Sequence, residues 1–221
     1  MKLKHYFFTL IFIIPFLTFS QKMALSTNPP DAEIFIGGKK VGTGSIDIKV
    51  GKNECITVQI VREGFLQYSN EYCNKKGMPS IPKKEYIQLS VDQSYEASSK
   101  SDIANVDVVL KPNRGTIEEN WLSSIRTITD YFDALEVSDS DVKYLRTAWI
   151  VDTFDGFVVR TRIIYRLTRD EPQEYKLKIV SERAMRNTSS KQDERFESWD
   201  RVLKKYGTLL EEVSVRVNAN Y

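Results

Sequence analysis

The chain has 221 residues, with 32 Lys and Arg against 30 Asp and Glu and a formal charge of +2. That length supports one large or two small domains, each with its own core. So even a charge balance speaks against a nucleic-acid binder, which usually carries a basic excess.

The chain opens on Lys2 and Lys4, continues through an apolar run over 6–17 broken by Thr9 and Pro15, and reaches Thr18-Phe19-Ser20. A positive start, an apolar middle and small residues at the third and first positions before a cut predict a signal peptide over 1–20. Cleavage is expected between Ser20 and Gln21. The run is shorter than the ~20 apolar residues of a spanning helix. No cysteine stands at the cut, so no lipid anchor is expected. Taking Lys2 and Lys4 from the 32 basic residues leaves 30 against 30 in the mature chain. The only histidine, His5, leaves with the leader. The mature chain then has no Ser-His or Cys-His pair and no histidine metal ligand. The expected location is periplasmic or secreted, peripheral to a membrane at most.

Residues 21–91 read as strand and turn. Residues 23–27 begin the run, Asn28-Pro29-Pro30-Asp31 turns, 32–36 is a short strand, and Gly37-Gly38-Lys39-Lys40 turns it back. Ile46, Ile48 and Val50 alternate with polar residues, as do Ile87, Leu89 and Val91. Alternation at this spacing, punctuated by Gly and Pro, predicts a small β-sandwich. Gly38 and Gly42 are expected at a tight turn where positive φ favours glycine. A phosphate cradle over 37–40 would need a following helix, and none is evident. Two cysteines, Cys55 and Cys73, flank two alternating runs around Gly64. A hairpin centred there sets them opposite each other, close enough for a disulfide in an oxidising compartment. No third ligand or base is apparent beside them, so neither a metal nor a catalytic role is expected. Residues 74–85, with four lysines, two prolines and a glycine, read as a basic loop.

The string Pro29-Pro30-Asp31-Ala32-Glu33-Ile34-Phe35-Ile36-Gly37-Gly38-Lys39-Lys40-Val41-Gly42 resembles the PEGA domain family. That family shows a proline, two residues and an alanine, then a short apolar strand, an acid-glycine turn and a valine-glycine. Val50-Gly51 and Glu63-Gly64-Phe65 resemble its second turn and its Gly-aromatic hairpin. The likeness covers 24–73. Pro30-Asp31 stands for the name-giving Glu-Gly, Gly37 for the usual acid, and Gly44-Ser45 lacks the usual proline. The matching residues form turns rather than a chemical site. The resemblance implies an extracytoplasmic β-sandwich of cell-envelope and surface proteins, used as a binding or spacing unit.

Residues 92–102 are too polar to build a core and are expected as a linker. In 103–217, a strand over 104–110 precedes a Thr116-x-x-Glu119 capping box. Ile117, Trp121, Ile125, Ile128, Phe132 and Leu135 then give a helix over 116–135 one apolar face. Strands are expected over 142–151, 157–167 and 175–182, a polar loop over 183–192, and a long final helix over 193–217. Residues 218–221 are a tail. The apolar faces of both helices are read as core, and Gly207 as a place of close helix–sheet approach. This is an α+β domain, an antiparallel sheet covered by two helices. Its order resembles a helix-grip domain and, loosely, the repeats of the outer-membrane assembly lipoprotein C family; the likeness is topological.

Seven acids are candidates for chemistry: Asp130, Asp133, Glu136, Asp139, Asp141, Asp152 and Asp155. A glycosidase needs two of them ~5–9 Å apart across a cleft, yet these fall mostly in polar turns. Asp139-Ser140-Asp141 lacks the glycine and final glutamate of a calcium loop. No catalytic, cofactor-binding or metal-ligating residue is therefore expected. Arg160, Arg162 and Arg166 share a parity on the third strand, the fourth carries Lys176 and Lys178, and Lys143 is expected to join them from the second. Together they predict a basic stripe facing away from the helices, with Trp149 stacked on Arg160. Such a stripe suits an anionic ligand: a lipid head group, an acidic glycan, or a partner's acidic face. The expected function is a non-catalytic binding or scaffold protein of the cell envelope, whose partner is an envelope or outer-membrane protein or a surface glycan. A lipid or small-ligand carrier and a carboxylate-dependent glycan hydrolase are the alternatives.

Overall fold

The computed structural model describes residues 20–218. The expected leader, Ser20 aside, and residues 219–221 of the expected tail lie outside the described residues. Sixteen strands and three α-helices occur among the described residues, so the protein is mostly β. Its contacts divide it into two compact units. One runs to Glu63 and resumes over Gln67–Leu89; the other comprises Gly64–Leu66 and the chain from Ser90 onward.

The first unit has seven strands: β1 (Gln21–Asn28), β2 (Glu33–Ile36), β3 (Lys39–Thr43), β4 (Ser45–Val50), β5 (Cys55–Val61), β6 (Tyr68–Cys73) and β7 (Lys84–Gln88). They form a three-stranded sheet, β4-β1-β7, and a four-stranded sheet, β3-β2-β5-β6. All pairings are antiparallel except β1 with β7. Met23, Leu25, Ile34, Ile48, Val50, Val58 and Ile60 are buried at alternate positions, as period-two patterning requires. These are sandwich-like sheets. β2 and β3 are joined by Gly37-Gly38, both at positive φ, as a two-residue hairpin turn of the primed type demands. Gly42 differs from its expectation. Its φ is ordinary, and its lack of a side chain matters because a Cβ would lie 2.5 Å from Ile46 Cγ2. The stricter case is Gly44, at φ +67 with a Cβ position 2.0 Å from the Pro30 carbonyl oxygen.

Cys55 and Cys73 are directly opposed at the base of the β5–β6 hairpin and form a disulfide. The Glu71 carboxylate lies near both sulfurs. With the sulfurs bonded to each other, neither is a thiolate ligand, so the trio is no metal site.

The second unit contains α1 (Gln93–Glu96), β8 (Ser98–Lys100), β9 (Val108–Leu110), α2 (Ile117–Tyr131), β10 (Leu135–Asp139), β11 (Tyr144–Thr147) and β12 (Ile150–Thr153). It continues with β13 (Phe157–Arg169), β14 (Glu174–Met185), β15 (Glu197–Ser198), β16 (Arg201–Leu203) and α3 (Leu209–Asn218). A seven-stranded antiparallel sheet is built on the long β13–β14 hairpin. β11 and β12 share the outer side of β13, with β10 beyond β11; β9 and β15 share the outer side of β14. β16 pairs with β8 separately.

The capping box forms as expected: Thr116 Oγ1 accepts from the Glu119 amide and Glu119 Oε2 from the Thr116 amide. Trp121, Ile128 and Phe132 join Ile163, Tyr165, Tyr175 and Leu177 in the core. The Tyr165 ring stacks on Trp121 at 5.5 Å and on Tyr175 at 5.2 Å. Burial raises both phenols, that of Tyr175 to about 12, and each is hydrogen-bonded: Tyr165 to Ser124 Oγ at 2.8 Å, Tyr175 to the Ile117 carbonyl at 3.0 Å.

Five expectations are overturned. Residues 92–102 are not a linker. Asp92 caps α1, and Arg201 of β16 donates to Ser98 Oγ and to the carbonyls of Tyr95 and Ser98. Polar contacts order this stretch where apolar side chains are lacking. The final helix is α3 alone. Residues 193–206 form two 3-10 turns with β15 and β16 between them. Phe196, Trp199, Leu203 and Tyr206 are buried as expected, but a short strand and turns present them. Gly207 ends the second 3-10 turn rather than lying within a helix. The expected loop over 183–192 and strand over 142–151 also differ: β14 runs on to Met185, and the Ala148-Trp149 break separates β11 from β12.

Two outcomes follow. Alkylation without reductant leaves both cysteines unlabelled, and replacing the pair by serine lowers unfolding free energy by about 3 kcal/mol for the 18-residue separation in chemical denaturation. Gly44→Ala costs at least ~1–3 kcal/mol from its positive φ, read as a fall in the denaturation midpoint at unchanged m-value.

Candidate functional site

On β13, odd-numbered Ile163 and Tyr165 turn into the core, so even-numbered Arg160, Arg162, Ile164 and Arg166 turn the other way. Register places Glu182, Val180, Lys178 and Lys176 of β14 directly opposite them. Tyr144 and Arg146 of β11 align with Arg166 and Ile164 on the same face. Five of the seven expected residues, Trp149, Arg162, Arg166, Lys176 and Lys178, thus come together on the sheet face away from the helices.

Lys143 does not join them. It lies in the turn before β11, in left-handed backbone at φ +52, and its ammonium meets Glu118 in the first turn of α2 at 2.5 Å. Arg160 lies on the expected strand face but is 3% exposed. It pairs with Glu182 at 2.6 Å and Asp193 at 2.5 Å, donates to the Ser190 carbonyl at 3.1 Å, and stacks on Trp149 at 4.2 Å and Phe196 at 3.9 Å. With its donors engaged, it fastens the segment 186–196 to the sheet instead of meeting a ligand.

On the open part of the face Arg146, Arg162, Arg166, Lys176 and Lys178 lie around Glu136 and Asp107, and Glu174, on the same side of β14, pairs with Lys111 at 4.0 Å. Glu136 is shared by Arg146 and Arg162. Arg146 Nη2 donates to Glu136 Oε1 at 3.0 Å, and its Nε lies 3.0 Å from the other oxygen, off the line of a hydrogen bond. Arg162 reaches Glu136 only at 3.5 Å and lies 4.1 Å from the Trp149 ring. Burial, then the Arg146 charge, lower the Arg162 guanidinium below its usual pKa. Asp107 is shared by Arg166 at 3.2 Å and Lys178 at 3.1 Å. Burial raises its pKa, but the hydrogen bond and charge of Lys178 and the charge of Arg166 outweigh this and hold it low. Lys176 has no ion pair among the described residues. Between the cations, Val109 and Val151 are 44% and 41% exposed.

Arg146, Glu136 and Asp107 belong to this face although the sequence reading does not place them there. Arg146 was legible by parity with Arg166 once the strands were aligned. Glu136 was hidden because it was read among acids in polar turns after the helix, whereas 135–139 is strand β10.

The other acids disperse. Asp130 faces Arg216 at 3.9 Å, Asp152 meets Lys205 at 2.7 Å, and Asp155 meets Arg186 at 2.7 Å. Asp139 accepts from the Asp141 and Val142 amides and so shapes its own turn. No family model matches the chain, and no curated protein matches it.

Arg160→Ala is expected to cost about 2–3 kcal/mol. This is below the ~3–5 for breaking a fully buried pair, because Glu182 and Asp193 keep access to water. Lys176→Ala and Arg166→Ala stay within ~0.5 kcal/mol. Urea unfolding of the three variants separates the structural arginine from the open face.

Proposed function

We propose that this is an exported, non-catalytic binding protein of the cell envelope, and that the open sheet face of the second unit docks a protein with an acidic surface. The observation that carries this reading is the cation excess on that face, where four side chains share the carboxylates of Glu136 and Asp107 and Lys176 has no ion pair among the described residues. Its other members agree. Trp149 and Arg162 are residue types enriched at protein interfaces, and Val109 and Val151 supply apolar surface between the charges.

Export is supported by the Cys55–Cys73 disulfide, which suits an oxidising compartment. No helix among the described residues is long and apolar enough to cross a membrane. The PEGA-like reading of the first unit is supported by its paired sheets and the positive-φ Gly37-Gly38 turn. The helix-grip reading of the second unit is supported by α2 and α3 contributing to one core with the antiparallel sheet. A carrier needs space beneath Trp199 and Tyr206. Both are buried in that core, and Phe132 stacks on Tyr206 at 4.8 Å. A hydrolase needs two acids across a cleft, whereas Asp130, Asp152 and Asp155 each meet a separate cation and Asp139 is held by its own turn.

The test is photocrosslinking in intact cells from position 176, followed by mass spectrometry. An envelope protein is recovered, and Arg162→Glu with Arg166→Glu removes it while the unfolding midpoint holds. Recovery of monomer alone, or capture unaffected by the double charge reversal, overturns the reading.

A further inference from the structure

The outward side of the three-stranded sheet in the first unit has a different character. Its centre is Ala24 and Ser26 of β1 with Ser45 of β4 directly across from Ser26, so the surface is low and flat. One ring rises from it. Tyr86 of β7, beside Ser26 in the register, is 62% exposed. An isolated aromatic ring over small polar residues offers no groove for a second apolar side chain, but it offers a face on which a sugar ring can stack.

Polar groups beside the ring are already held in place. The Tyr86 hydroxyl donates to Gln88 Oε1 at 3.3 Å, and Asn28 Nδ2 donates to the same oxygen at 2.7 Å. The two amides are therefore oriented without a ligand, and the ring is tethered by its own hydroxyl. Pre-set amides next to an exposed ring match the alternating hydroxyls and apolar face of a pyranose.

The other end of the same face is basic. Lys22 and Lys49 are directly opposed in the β1–β4 register, and Lys84 lies one strand over, beside Ala24. None of the three makes an ion pair among the described residues. Like charges set directly opposite are unfavourable in a sheet, and an anion laid across them removes that repulsion. Asp47 is the one carboxylate across from Ala24. From the level of Lys22 to the level of Ser26 and Tyr86 is four residues, about 13 Å along the strand, longer than a single sugar.

We propose that this face binds an acidic polysaccharide, with a sugar ring stacked on Tyr86 and carboxylates of neighbouring sugars over Lys22, Lys49 and Lys84. The site is separate from the sheet face of the second unit and stands or falls without it.

The experiment is calorimetric titration of the purified full chain at low salt with oligogalacturonate and oligoalginate. Neutral dextran and polyphosphate serve as comparisons. At least one uronate binds; Tyr86→Ala weakens it about tenfold, and Tyr86→Phe, which keeps the ring, does not. Lys22→Glu with Lys49→Glu weakens it further and flattens its salt dependence. Arg162→Glu with Arg166→Glu leaves it unchanged. Binding of neither uronate, binding indifferent to Tyr86→Ala, polyphosphate bound as tightly as the better uronate, or loss only with the second-unit charge reversal would each overturn the proposal.

Discussion

The antiparallel pairing of β13 with β14 is the constraint on which the second unit rests. Twelve residue pairs are in register from Phe157–Met185 to Arg169–Glu174, with one shift after Leu167. Because side chains alternate, one register decides every assignment on both faces at once. It sends Ile163, Tyr165, Leu177 and Ile179 under the helices. It also aligns Arg160 with Glu182 and Arg166 with Lys176 on the opposite face. A slip by one residue would bury arginines and expose the core. The apolar side of this hairpin therefore enforces the position of its charged side.

Within that charged face, burial separates two roles that the arginines share by name. Arg160 has been drawn down between Trp149 and Phe196 and is surrounded by partners. A guanidinium is suited to this because its planar fork satisfies several acceptors while its flat surfaces stack on rings. Two residues on, Arg162 has the same indole beside it but a single, distant carboxylate. The difference comes from what lies above them. The segment 186–196 folds back over Arg160, bringing the Ser190 carbonyl and Asp193, and does not supply such partners to Arg162.

Polar order also replaces apolar packing elsewhere. The stretch after Leu89 has few residues able to form a core, yet it is structured. Asp92 accepts from the amides of Ser94 and Tyr95 and pairs with Arg183 at 3.1 Å. Arg201, 7% exposed, has its guanidinium 3.6 Å from the Tyr95 ring and no ion pair among the described residues; its bonds go to carbonyls and a serine hydroxyl. Composition alone reads such a segment as a spacer, because its stabilising partners lie about a hundred residues away in sequence.

What was legible from the sequence was local. Alternation around Gly64 placed Cys55 opposite Cys73, Thr116-x-x-Glu119 began a helix, and the parity of β13 put its arginines on one side. Each of these depends on spacing within a few residues or on a single hairpin. Tertiary structure decided the rest. Residues 193–206 have helical spacing, but pairing with β14 and β8 drew Glu197–Ser198 and Arg201–Leu203 into strands, since a ladder partner outweighs a weak local preference. Lys143 fell to the helix side because it belongs to the left-handed turn before β11, outside the expected strand, where Glu118 of α2 meets it. Which cations on the sheet face stay open depended on Glu136 and Asp107, contributed by β10 and the approach to β9. Long-range register, which no short window of sequence contains, determined where those carboxylates arrived.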